Sequence, residues 1–239
     1  PILGQAGKRA GVRINSLSTG LLEADMNAAV TPHTFGIIVG KVETAWDVHE
    51  MDKILAALEV KKGLEQGKTR LILYLESALA IINAYAICSA SPRIMAAAFG
   101  AEDFTVDMGT ERTDESSEVF LPRAMVAIAA RAADVVPLDI VYANFRDEEG
   151  LRRDIQVAKG LGYKGKFAIH PGQVQAINEM FSPLLEEIEY AKRVVLAFEE
   201  AEARGKGATS LDGKMIDIPV VTRARSLLAI EETVADISP

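Results

Sequence analysis

The chain is poor in sulfur and in aromatic residues. Its 239 residues include one cysteine and one tryptophan, and aromatics make up 6%. A single cysteine, Cys88, excludes an intramolecular disulfide and any Cys-rich zinc site. Within a helix-length apolar segment it reads as a small core residue, and the near-absence of cysteine points to a reducing compartment. No apolar run approaches the roughly 20 residues of a membrane-spanning helix, and no signal-peptide pattern opens the chain. Basic residues are also not in excess. Lys plus Arg is 26 and Asp plus Glu is 34, a net charge of −8, which argues against nucleic acid as the main partner. The expected location is the cytoplasm, with the mitochondrial matrix as the alternative. The first residue is Pro1 rather than Met, as in a processed or truncated chain.

Apolar residues make up 49%, enough for a substantial core. Short apolar segments alternate with helix-length ones. The strands are read at 11–15 (GVRIN), 35–42 (FGIIVGKV), 70–77 (RLILYLES), within 95–104 (MAAAFGAEDF), 138–145 (LDIVYANF) and 166–170 (KFAIH). The helices between them include 21–30 and one carrying Val48, Met51, Leu55 and Leu58 at spacings of 3, 4 and 3, a single buried stripe. A loose capping box at Thr44 to Asp47 precedes that stripe. Further helices are expected at 78–90, 121–135 and 147–161, then 171–181 and one opened by Ser182-Pro183. Residues 1–10 and the acidic stretch 109–118 read as loops, and a last amphipathic helix as starting near Thr222. Repeated strand–helix alternation predicts a parallel sheet with helices packed on it. Six such units are two short of a closed (β/α)₈ barrel.

In a parallel α/β architecture all strand ends open on one face. The residues at or just past those ends are Arg13 and Asn15, Lys41 and Glu43, Glu76, Glu102 and Asp103, Asn144, and His170. Glu76 and Asp103 each follow an apolar run, 27 residues apart, and belong to adjacent units. Two carboxylates at a barrel mouth suit a hard dication such as Mg²⁺, which takes one or two protein carboxylates plus substrate oxygens. Arg13, between Val12 and Ile14, points opposite to them, toward a barrel interior. Each residue also has a structural reading. Arg13 and Lys41 could pair with neighbouring acids, Glu76 and Asp103 could cap the helices that follow, and His170 could be a hydrogen-bonding residue. Asp217, an isolated acid in the apolar segment MIDIPVV, is left undecided by pattern.

The segments VRIN (12–15), GKVET (40–44), LES (75–77), FGAEDF (99–104), DIVYANFRDEEGL (139–151), GKFAIHPGQV (165–174) and DGKMIDIP (212–219) give the chain a family likeness. It resembles the citrate lyase beta-subunit-like family of the HpcH/HpaI aldolase superfamily, which includes malyl-CoA, citramalyl-CoA and citryl thioester lyases. The resemblance implies a Mg²⁺-dependent TIM-barrel lyase that assembles as a homotrimer or hexamer. It assigns Glu76 and Asp103 to the metal and Arg13 to the substrate carbonyl or carboxylate. It assigns the backbone of Ala101, Glu102 and Asp103 to the substrate carboxylate. Asp217 becomes the acid/base group, carried by a C-terminal extension over a neighbouring subunit's site.

The family's first two strands, ending in Pro-Gly and in an acidic DLED-like loop, have no counterpart here. The expectation is therefore an incomplete TIM-barrel domain over 1–205, lacking two βα units, and an extension over 206–239. Cleavage or formation of a β-hydroxyacyl thioester, carried on CoA or an acyl carrier protein, is the expected activity. A pyruvate-type aldolase acting on free hydroxy acids is the alternative enzyme, and an inactive truncated subunit the non-catalytic one.

Overall fold

A computed structural model describes residues 8–113 and 116–237, with side chains as far as 231. The first seven residues of the expected N-terminal loop, and Asp114 and Glu115 of the acidic loop, lie outside the described residues. The chain divides into two compact units, 1–173 and 174–239.

The first unit runs β1 (Ala10–Ile14), α1 (Leu22–Ala29), β2 (Thr34–Val39), α2 (Ala45–Lys61), β3 (Arg70–Leu75), α3 (Ala78–Ile82), α4 (Ala84–Cys88), β4 (Ile94–Phe99), α5 (Ala101–Met108), α6 (Ser117–Ala132), β5 (Val136–Asp139), α7 (Glu148–Leu161) and β6 (Gly165–Lys166). The strands form one parallel sheet in sequence order, with β1 and β6 at its edges. The sheet is a curled half-barrel. Tyr74, at the end of β3, meets Phe167, just past β6, with ring centroids 5.2 Å apart. Two intervening strands at about 4.8 Å spacing would hold those positions roughly 14 Å apart on a flat sheet.

β2 to β4 are covered on both faces, hence their nearly unbroken apolar character. The stripe Val48, Met51, Leu55 and Leu58 of α2 is buried against them. Its capping box forms as the sequence indicates: Thr44 Oγ1 accepts from the Asp47 N–H at 3.3 Å, and Asp47 Oδ2 accepts from the Thr44 N–H at 2.9 Å.

Two buried ion clusters fasten helices to the sheet. Arg93 donates bidentately to Glu59 at 2.9 and 2.8 Å, both side chains being buried. Arg123 and Lys166 share Asp139, at 2.6 and 2.7 Å, and both also reach Asp154. This quartet joins α6, α7, β5 and β6. Each charge is paired, as burial requires.

Several elements differ from the sequence expectation. The 78–90 segment is two helices, broken at Asn83, whose Nδ2 donates to the Glu43 carbonyl at 2.9 Å. Residues 101–108, whose first part the sequence reading placed in the stretch ending the fourth strand, are helical. β5 and β6 stop at Asp139 and Lys166, so 140–147 and 167–170 are rim loops.

The second unit holds α8 (Val174–Phe181), α9 (Leu185–Ala203), β7 (Thr209–Leu211), β8 (Lys214–Ile216) and α10 (Ile218–Ile237). α9 starts at Leu185 with Leu184 as its N-cap, so Ser182 does not cap it. Its buried stripe is Ile188, Ala191, Val194, Phe198 and Ala201, and part of it forms a core with Ile216, Val221 and Ala224. The sequence reading had kept α9 with the barrel. β7 and β8 form an antiparallel hairpin that it had not resolved, and α10 begins four residues before Thr222.

Candidate active site

β2, β3 and β4 are adjacent, and each ends in a residue that shapes the same spot. Past β3 comes Glu76, a buried carboxylate. On either side the neighbouring strands end in glycines, Gly40 and Gly100. A Cβ on Gly40 would lie 2.5 Å from Glu76 Oε1, and one on Gly100 would lie 2.5 Å from Oε2 and 2.6 Å from the Glu76 Cβ. The two glycines therefore form the slot that admits the carboxylate. Lys41 follows Gly40 with φ of 55°, an unusual conformation for a side-chain-bearing residue. It turns the Lys41 N–H to Glu76 Oε1, at 2.8 Å.

The helix-capping reading of Glu76 does not hold. Ser77 caps α3, accepting from the Ala80 N–H at 3.2 Å, and Asp107 accepts from the Ala78 N–H at 2.8 Å. Asp103 lies in the first turn of α5, where the helix dipole favours an acid. Lys41 Nζ is 3.5 Å from Asp103 Oδ1. Burial raises the Glu76 carboxyl above the ordinary range and the charge of Asp103 raises it further, against the opposing Lys41 N–H and the cations Arg13 and Lys41. A buried carboxylate whose ionisation a neighbouring acid opposes is a natural seat for a dication.

The donor set fits such an ion. Among the described residues no group of three or more His, Cys, Asp or Glu converges. A pair of carboxylates leaves most positions to water and substrate oxygens, the arrangement Mg²⁺ favours.

Arg13 faces this spot, as the alternation in β1 predicts. Its guanidinium lies over the Tyr74 ring, 5.2 Å from the centroid, and its Nη2 is 3.8 Å from a Cβ built on Gly40. It is exposed rather than buried. The N-terminus of α5, at Ala101, Glu102 and Asp103, has no side-chain cap, leaving helix N–H groups for an anion. The Glu102 side chain instead pairs with Arg112 at 3.3 Å.

The chain belongs to the HpcH/HpaI aldolase/citrate lyase family. The family model matches residues 2–171. The chain is 38% identical to the citrate lyase subunit beta of Leuconostoc mesenteroides subsp. cremoris, over 92% of this chain and 72% of that protein. It is 33% identical to the mitochondrial citramalyl-CoA lyase of Rattus norvegicus, over 94% and 69%. These relatives are carbon–carbon lyases, which places the chain in that enzyme class. Among solved structures it is similar to the protein CitE from Mycobacterium tuberculosis in complex with magnesium, acetoacetate and coenzyme A. That match has 26% identity and a TM-score of 0.72, and covers 92% of this chain and 77% of that one. A citrate lyase from Burkholderia xenovorans LB400, 23% identical, shares the fold at a TM-score of 0.83, over 96% and 74%.

The remaining rim residues separate into those near the slot and those elsewhere. His170 is exposed, stacks on Phe145 at 4.9 Å, and accepts the Gly172 N–H on Nδ1 at 3.0 Å. Those contacts match its structural reading. Asn144 and Glu102 line a neighbouring cleft of about 830 Å³ that includes neither Glu76 nor Asp103. Asp217 lies in the second unit, where its Oδ1 accepts from the Val220 N–H at 3.2 Å at the start of α10.

Four residues were missed by the sequence reading: Gly40, Gly100, Tyr74 and Gln173. Gln173 is buried and bridges the two rim loops, donating to the Tyr142 carbonyl at 2.8 Å and accepting the Ile169 N–H at 3.0 Å. The glycines were visible in GKVET and FGAEDF, and each precedes a residue already singled out.

Among the described residues no helix is long and apolar enough to cross a membrane.

Proposed function

We propose that the chain is a Mg²⁺-dependent lyase that cleaves, or in reverse forms, a β-hydroxyacyl thioester. The observation that carries this reading is the Glu76 carboxylate, slotted between Gly40 and Gly100 and raised by burial and by Asp103. Glu76 and Asp103 would hold the ion, and what a dication supplies there is Lewis-acid polarisation of the substrate carbonyl. The uncapped first turn of α5, at Ala101 to Asp103, would receive the substrate carboxylate.

Cleavage takes the proton from the β-hydroxyl and turns that carbon into a carbonyl group. The C–C bond breaks and its electron pair passes to the thioester as an enolate. Arg13 would stabilise that developing charge, an interaction realised mainly in the transition state. Protonation of the enolate carbon completes the reaction. We assign the proton transfer to Asp217 on the strength of the family resemblance. In this reading the extension over 206–239 lies over a neighbouring subunit's site in a homotrimer or hexamer. The relative named for citramalyl-CoA supports a thioester substrate, and the coenzyme A in the Mycobacterium tuberculosis complex supports CoA as its carrier.

The test is a comparison of substrates. With Mg²⁺ present, malyl-CoA or citramalyl-CoA should be cleaved at least a hundredfold more efficiently than free hydroxy-keto acids. Equal or better cleavage of the free acids would point to the pyruvate-type aldolase reading instead.

A further inference from the structure

The guanidinium of Arg13 has no carboxylate within ion-pair distance among the described residues; the contact that locates it is the face of Tyr74, 5.2 Å away. This is unusual for a residue asked to meet a developing charge. Arginine carries a long, rotamer-rich side chain, and β1 is an exposed edge strand. Something must limit the orientations it samples. Tyr74 is suited to do so. It lies on β3, two residues before Glu76, so its ring projects to the same face of the sheet as that carboxylate. Phe167, from beyond β6, packs against it at 5.2 Å with the planes inclined by 32°. The ring is thus braced from across the half-barrel while it meets Arg13.

We propose that Tyr74 is a positioning residue: its ring, braced by Phe167, holds the Arg13 guanidinium beside the Glu76 slot by a cation–π contact. The proposal rests on the reading of Arg13 as charge stabiliser. The guanidinium lies over the face of the ring, and an ordinary phenol is uncharged at neutral pH. The aromatic face, not the hydroxyl, does the holding, and phenylalanine should replace tyrosine.

The experiment is a double-mutant cycle on the whole chain with Mg²⁺ and a CoA thioester, paired with chemical labelling of Arg13 that needs no turnover. Tyr74→Leu should lower kcat about fivefold, the scale of a cation–π contact at an exposed site, with KM changed less than about twofold. Tyr74→Phe should restore kcat to within about twofold. In an Arg13→Met background Tyr74→Leu should cost nothing further in kcat. Modification of Arg13 by phenylglyoxal, followed by mass spectrometry, should be severalfold faster in Tyr74→Leu and unchanged in Tyr74→Phe.

Equal labelling rates in all three proteins would overturn the proposal whether or not the chain turns over. So would a Tyr74→Leu loss that persists in the Arg13→Met background, or one that phenylalanine fails to rescue. If Arg13→Met itself keeps full kcat, the reading of Arg13 falls, and the positioning role with it. If Arg13→Met is impaired while Tyr74→Leu is not, only the positioning role falls.

Discussion

Glu76 and Gly100 are in contact in a way no larger residue pair would permit. A Cβ on Gly100 would lie 2.6 Å from the Cβ of Glu76 and 2.5 Å from its Oε2. On the other side, the close contact of a Cβ on Gly40 is with the flexible end of the same side chain, 2.5 Å from Oε1. The carboxylate is aimed by the absence of side chains on its neighbours.

The two glycines should therefore differ in tolerance. Gly100→Ala forces the Glu76 stem to move and should weaken Mg²⁺ binding at least tenfold, with a comparable fall in turnover. Gly40→Ala displaces only the carboxylate end and should cost less. Calorimetric Mg²⁺ titration of the two variants checks the order, and a milder effect at Gly100 would contradict the slot.

Removing the ion should destabilise the protein. Metal-free, Glu76 is a buried carboxylate beside Asp103. Bound Mg²⁺ at a hundredfold excess over its Kd should add about 2.7 kcal/mol of stability. Thermal melting with and without chelator reads this as a higher Tm with Mg²⁺. In Glu76→Gln the Mg²⁺-dependent part of that shift should vanish.

The Arg93–Glu59 pair makes a separate prediction for acid stability. Burial alone would raise the Glu59 carboxyl, but hydrogen bonds from Arg93 and from the N–H groups of Thr69 and Gly67 outweigh it and hold it at about 2. A carboxyl depressed in the folded state stabilises fully above its unfolded value of 4.5. That stabilisation, on the order of 3 kcal/mol, is lost as pH falls from about 4.5 toward 2. Denaturant unfolding as a function of pH should show the drop in that window. Arg93→Met should flatten it and cost about 3–5 kcal/mol at neutral pH, by leaving a buried carboxylate unpaired.

Much of this arrangement is legible in the sequence because carboxylates following apolar runs are positional signals. Parallel strands bring such residues to one rim regardless of the intervening chain, so Glu76, Asp103 and Arg13 could be named before any coordinates. The helix after β4 was obscured because Gly100-Ala101-Glu102-Asp103 has the composition of a turn. It buries Ala101, Phe104 and Thr105, and the Phe104 ring meets Phe99 of β4 at 5.4 Å. The break at Asn83 depends on a carbonyl 40 residues away and has no local signal. The hairpin at 209–216 had one: Asp212-Gly213, both with positive φ, is the turn dipeptide that joins two short strands. The roles of Gly40 and Gly100 depend on which strands are neighbours and how far a side chain reaches, so they required the fold.

The most direct measurement is the Mg²⁺ dependence of thioester cleavage in the wild-type chain and in Glu76→Gln and Asp103→Asn. Wild type should cleave a malyl- or citramalyl-CoA substrate only with Mg²⁺ and lose that activity to chelator. Each variant should fall by at least a hundredfold and bind Mg²⁺ weakly or not at all by calorimetry. Chelator-resistant cleavage, or variants that keep wild-type turnover and Mg²⁺ affinity, would contradict the assignment of this pair as the metal seat.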